Sequence, residues 1–442
     1  MTDDPGDRPD DNPFKGTPFE QIFNAFGGAA GGGAAGMPFD LSGLMNQMQA
    51  MMTPYDGPVN WTLATDIARR TSAQEPDPSP DRGQQTRVAD AIRLADHWLD
   101  SATVLPSGVT TSSAWSRADW IEQTTGVWRV LVEPVAEHVV GAMGNAMPEE
   151  ARAMAGPLLG MLGKAGGAMF GSQVGQALGT LAGEVLTASD IGLPLGPEGK
   201  AALVVHNVAA FAEGLDVSDD DVLLYLALRE AAHQRLFRHV PWLRRHLIAS
   251  VEEFGRGVTI DVSGIEQAMG QIDPTNPQAL QEALEGGLFE PHQTESQKAA
   301  LQRLETTLAL VEGWVDEVAG QATADRMPDA AKLQEAIRRR RAAGGPAEQT
   351  FAALVGLELR PRRLRDASAL WGSLRSRQGQ EGRDAVWAHP DLLPTAADLD
   401  DPLGFREDLA EPATLTDEAF DAAIEELLRS ERPDEPGDDT RE

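Results

Sequence analysis

No cysteine occurs anywhere in the 442 residues. That absence excludes disulfides, a thiolate zinc site and a cysteine nucleophile. Positive charge is also scarce: 37 lysines and arginines face 69 acids, for a net charge of −32. A surface of that sign repels nucleic acid and anionic membrane, so neither is expected as a partner. The start, Met1-Thr2-Asp3-Asp4-Pro5, lacks the basic-then-apolar layout of a secretion signal, and a cytoplasmic protein is expected. Strand-like text is nearly missing; Val258 to Val262 is the one convincing run.

What is present reads as helix. Residues 1–18 are acidic and proline-rich and are expected to be disordered. Phe19, Ile22, Phe23 and Phe26 then fall at helical spacing before a Gly/Ala run, Gly27 to Gly36. Met45, Met48, Met51 and Met52 mark a second short amphipathic stretch. Such Phe and Met segments either dock a partner or fold back on their own domain. The division expected is a low-complexity region over 1–56, a helical domain over 57–405 and an acidic mobile tail over 406–442. The last 42 residues hold 15 acids and 4 arginines, with one small helix marked by Phe420, Ile424, Leu427 and Leu428.

Inside the domain, Gly163, Gly167, Gly171, Gly175, Gly179 and Gly183 recur every four residues, a row that lets a second backbone approach closely. Ala165 to Gly183 is free of charge for 19 residues, which is long enough to weigh a membrane span. Ser172, Gln173, Gln176 and Thr180 interrupt it, and only Phe170, Val174, Leu178 and Leu181 are strongly apolar. Stable membrane insertion is therefore not expected; the stretch should be a buried helix in a soluble domain.

Ser218 followed by Asp219, Asp220 and Asp221 is a strong helix start, opening an amphipathic helix that runs to about His239. A long helix is expected from about Thr294 to Ala319, followed by a basic one carrying Arg338 to Arg341. In so acidic a chain those arginines, and Arg360, Arg362, Arg363 and Arg365 after them, are expected to pair with internal carboxylates.

The first of these helices carries Arg229-Glu230-Ala231-Ala232-His233. A catalytic zinc helix reads His-Glu-x-x-His: two histidines one turn apart chelate the ion, and the glutamate acts as general base on its water. Here arginine stands where the first histidine belongs. Val222, Leu226, Glu230, His233 and Phe237 share one helical face, so Glu230 and His233 sit among apolar side chains. Buried carboxylates require partners.

The longer run Arg229 to Phe237, followed by Pro241-Trp242-Leu243, resembles the zincin-like metallopeptidase family common in actinobacteria. Gly171-Ser172-Gln173-Val174-Gly175, Asp190-Ile191-Gly192-Leu193-Pro194 and Trp387-Ala388-His389-Pro390-Asp391 extend the likeness over about 57–405. The resemblance implies a mainly α, zincin-like single domain with zinc as cofactor and a peptide or protein as substrate or partner. It also implies roles: Glu230 as general base, His233 and Glu312 as zinc ligands, and Asp316, one turn after Glu312, as a group orienting a ligand. Arg229 departs from that pattern, because a guanidinium does not lose its proton in proteins and cannot ligate zinc. Two functions stay open: a peptide-bond hydrolase, or a catalytically inactive scaffold in which Arg229 supplies the missing positive charge.

Overall fold

The structure, a computed structural model, describes residues 55–145, 156–256, 294–342 and 363–406. The Phe and Met segments near the start, Val258 to Val262 and the acidic tail lie outside the described residues. The architecture is mainly helical, as expected. In chain order come α1 (Trp61–Ser72), α2 (Arg82–Leu99), β1 (Thr111–Trp115), α3 (Arg117–Asn145) and α4 (Gly156–Ala182). Then follow β2 (Lys200–Val204), α5 (Val205–Ala212), α6 (Asp219–His239), α7 (Leu243–Arg256), α8 (Glu295–Thr323), α9 (Ala330–Ala342), α10 (Leu364–Ala385) and the short α11 (Ala396–Asp400). Among the described residues no helix is long and apolar enough to cross a membrane.

Helix starts follow local chemistry. The Ser218 hydroxyl accepts from the Asp221 amide at the head of α6, and three aspartates occupy its first turn. Thr294 and Gln297 form a reciprocal capping box at the head of α8, as Asp81 and Gln84 do at α2. Both helices therefore begin where the sequence indicates.

The strands do not. β1 and β2 pair in parallel, with Thr111 opposite Lys200 and Trp115 opposite Val204. The sequence Thr-Ser-Ser-Ala-Trp has too few apolar residues to announce a strand; its partner β2, with Ala201 to Val204 buried, supplies the reason for pairing. On the other edge of β2 the loop at Leu186–Ala188 adds a short antiparallel bridge, with Ala188 N donating to Ala202 O and Val204 N to Leu186 O, each 2.9 Å. That bridge delivers Ser189 and Asp190 to the centre of the molecule.

The glycine row performs the close packing expected of it. Helix α4 lies against α1, and a Cβ added to Gly171 would stand 2.6 Å from Asn60 O, one added to Gly175 2.5 Å from Ala64 O. At Gly179 it would meet the Thr71 side chain at 2.5 Å. These glycines bring two backbones together inside a protein core (Gly163 falls where side chains are not described). The remaining core is built on fully buried Trp120, Trp128, Trp314, Trp371 and Trp387. Burying such rings contributes more per residue than any aliphatic chain.

Gly171→Leu and Gly175→Ala should each force α1 and α4 apart and lower unfolding free energy by about 1–3 kcal/mol. Gly126, in the interior of α3, has nothing within 4 Å of a built Cβ. Gly126→Ala should therefore stabilise by about 0.5–1 kcal/mol through helix propensity alone. Denaturant melts of the three variants would check both signs.

Candidate functional site

Helix α6 is the centre of the molecule. The sequence reads it as one apolar face with a polar back, but every residue from Tyr225 to Leu236 is buried. The reason is tertiary: α2, α8, β2, α5, α9 and α7 all pack on it. Most polar groups on its sides therefore depend on protein partners. Arg235, 1% exposed, bonds to Asp96, Asp100 and the Leu105 carbonyl and so ties α6 to α2 and to the loop beyond it.

Helix α8 presents Glu312 and Asp316 to α6, both buried. Its Gly313 allows that depth, since a Cβ there would meet Ala367 of α10 at 2.5 Å. Arg229 Nη2 donates to Glu312 Oε2 at 2.6 Å, and Arg229 Nη1 lies 3.7 Å from Asp316 Oδ1. His233 Nδ1 lies 2.9 Å from the Arg229 carbonyl oxygen, and its Nε2 lies 2.9 Å from Glu312 Oε1, so the ring bridges α6 and α8.

A third helix completes the cluster. Arg341 of α9 stands 3.0 Å from Glu312 Oε1 and also reaches Asp190. Arg340 pairs with Asp190 Oδ2 at 2.9 Å, an oxygen that accepts from Leu186 N as well. Arg338 pairs with Asp316 Oδ2 at 2.6 Å, where Ser368 and Gln334 also donate. Three carboxylates are thus matched by four guanidiniums. Burial alone would raise the Glu312 carboxyl, yet Arg341, His233 and Arg229 together hold it down at about 2. Burial likewise opposes the charge on Asp190, and Arg340, Arg341 and the Leu186 amide overcome it, leaving its carboxyl below the ordinary range.

Glu230 sits in a different setting. It accepts from Ser189 N at 3.1 Å, from Ser189 Oγ at 3.4 Å and from Gln234 Nε2 at 2.9 Å. No guanidinium meets it, and burial pushes its carboxyl above the ordinary range despite the nearby His233 and those hydrogen bonds.

The residues expected from sequence divide accordingly. Arg229, His233, Glu312 and Asp316 come together although His233 and Glu312 are 79 positions apart. Glu230 is bonded to the 186–190 loop instead. The arginines of α9 do pair with internal carboxylates, but their meeting with Glu312 was not foreseen, nor was any role for Asp190, Ser189 or Gln234. The four-arginine run in an acidic chain was the available signal. His206, His239 and His246 bond elsewhere, to Pro78 O, Ser107 O and Thr307.

This donor set does not fit a catalytic zinc ion. One histidine and one glutamate are in range, and they are bonded to each other, whereas such an ion takes three protein ligands. Guanidiniums occupy both oxygens of the glutamate. Among the described residues no group of three or more histidines, aspartates or glutamates could hold a metal ion.

The zincin-like metallopeptidase family matches residues 59–405. This chain belongs to that family. Its motifs meet physically: Trp242, of the Pro-Trp-Leu step, donates to the Trp387 carbonyl at 2.9 Å, and the two indoles stack. No curated protein matches. A crystal structure from Chloroflexus aurantiacus, described as that of "a putative hydrolase with a novel fold", is 21% identical with a TM-score of 0.57. The match covers 78% of this chain and 96% of that one, and it shows a shared fold.

Two outcomes follow for stability. Removing Arg229 leaves Glu312 Oε2 without its donor while Arg341 and His233 still meet the other oxygen, so Arg229→Ala should cost about 1–3 kcal/mol in a denaturant melt. A carboxyl held at about 2, against an ordinary 4.5, stabilises the fold fully above the unfolded value and loses that contribution as pH falls toward 2. The contribution is of order 3 kcal/mol at neutral pH, and Glu312→Gln should flatten this part of the acid-unfolding profile. Glu230 has the opposite sign, because its raised carboxyl makes the charged form costly in the folded state. Glu230→Gln should therefore be neutral or stabilising at pH 7, with the difference shrinking as pH falls.

Proposed function

We propose that this protein is a non-hydrolytic member of the zincin-like metallopeptidase family, a pseudo-peptidase that keeps the fold as a scaffold for peptide or protein partners. The observation that carries the reading is the buried Arg229–Glu312 pair at 2.6 Å, closed on its other oxygen by Arg341 at 3.0 Å. In a zincin the divalent ion neutralises its ligand carboxylate and is free to exchange; a guanidinium does the first and is covalently fixed. In this reading His233 and Glu312 stand where zinc ligands would, and Asp316 where a group that orients one would. Here Glu312 and Asp316 share arginines instead, and His233 bonds to Glu312.

The hydrolase reading keeps one support, Glu230, which stands in the general-base position with a carboxyl of raised proton affinity. Its hydrogen bonds go to Ser189 and Gln234, and no second histidine is present to hold an ion beside it. Without a metal-activated water that base has no reaction to perform.

Metal analysis tests the proposal. Protein purified without added zinc should hold well under one zinc per chain and show no chelator-sensitive peptidase activity. Arg229→His alone should gain little zinc, because Arg341 still occupies Glu312. Adding Arg341→Ala should raise zinc affinity at least tenfold over that single variant. One tightly bound zinc in the unmutated protein, lost together with peptidase activity in His233→Ala, would return the chain to the enzymes.

A further inference from the structure

Beside the Glu230 shell the surface dips into a cleft of about 250 Å³ including its open mouth. Its floor is reached by Ser189 and Gln234, the residues bonded to Glu230. Phe237 and Pro194 contribute apolar wall. Two arginines line it. Arg238 is paired with Glu198, which lines the same cleft, so those two charges cancel. Arg244, half-buried, has no acidic partner and no hydrogen bond among the described residues. In a chain of net charge −32, where each arginine of the neighbouring cluster contacts a carboxylate, Arg244 is a positive charge in a concave site that contacts none among the described residues.

We propose that this cleft is a binding site for a single carboxylate carried on a small group, with Arg244 as its partner. The charge balance selects the class: one uncompensated guanidinium matches one negative charge, and its planar fork matches a carboxylate in two-point contact. A phosphate dianion would bring excess negative charge into an already acidic protein. Phe237 and Pro194 give the alkyl portion of that group an apolar surface. Such a carboxylate comes from a peptide's C-terminus or from a small carboxylic acid. The inference does not rest on whether the chain binds zinc or cleaves peptides, since neither Glu312 nor Arg229 lines the cleft.

Titration calorimetry of the full chain in metal-free buffer tests it with four probes: N-acetyl-glycyl-alanine as the free acid, the same dipeptide as its C-terminal amide, acetate, and inorganic phosphate. The free acid should bind, the amide at least tenfold more weakly and phosphate more weakly than either carboxylate. Arg244→Gln should lose at least tenfold in affinity for the acid with an unchanged melting curve. Arg244→Lys, which keeps the charge but not the fork, should fall between. Acetate within tenfold of the dipeptide assigns the cleft to small acids, and a larger gap assigns it to chain ends. Equal binding of acid and amide, preference for phosphate, retention of affinity in a folded Arg244→Gln protein, or no binding by any probe would each overturn the proposal.

Discussion

A guanidinium and a carboxylate buried against each other, Arg229 on α6 and Glu312 on α8, set the conditions for the centre of this molecule. Neither charge is tolerable there alone, since an isolated buried ion costs far more than the fold's net stability. Their pairing allows a wholly buried α6 to keep polar groups on several sides. It also fixes what surrounds them. Glu312 offers two oxygens and meets three residues, Arg229, His233 and Arg341, the last of which ties α9 to α8. Arg340 and Arg341 in turn need Asp190, and this holds the 186–190 loop beside β2. The charges form one connected network in which each member is the condition for the next.

That network also separates two buried carboxylates. Glu312 lies among cations and is held as the anion down to about pH 2. Glu230 accepts hydrogen bonds from the neutral Ser189 and Gln234 and is pushed toward its protonated form. Arg229 keeps its positive charge on the Glu312 side, and Glu230 lies outside the ion-pair network.

Much of the architecture was legible because it is written locally. Ser218 and the aspartates after it, Thr294 with Gln297, and the four-residue glycine repeat act within one or two turns, and the structure places caps and close helix packing at those positions. The strands were missed because five-residue segments such as Thr111–Trp115 carry too little periodicity; their register depends on a partner 89 positions away, as Thr111 opposite Lys200 illustrates. The polar side expected for α6 was also wrong, since the number of neighbours on a helix is not encoded in its own wheel.

The sequence by itself determined the helical class and the family, because each depends on residues within a few turns or on a pattern of motifs. Only the tertiary structure decided what Arg229 meets. Arg341 and Asp190 lie 151 positions apart, and either could have faced water. Their convergence on Glu312 follows from how α6, α8 and α9 pack, a long-range outcome of burying apolar surface. Charge matching then selects which side chains may share that buried space.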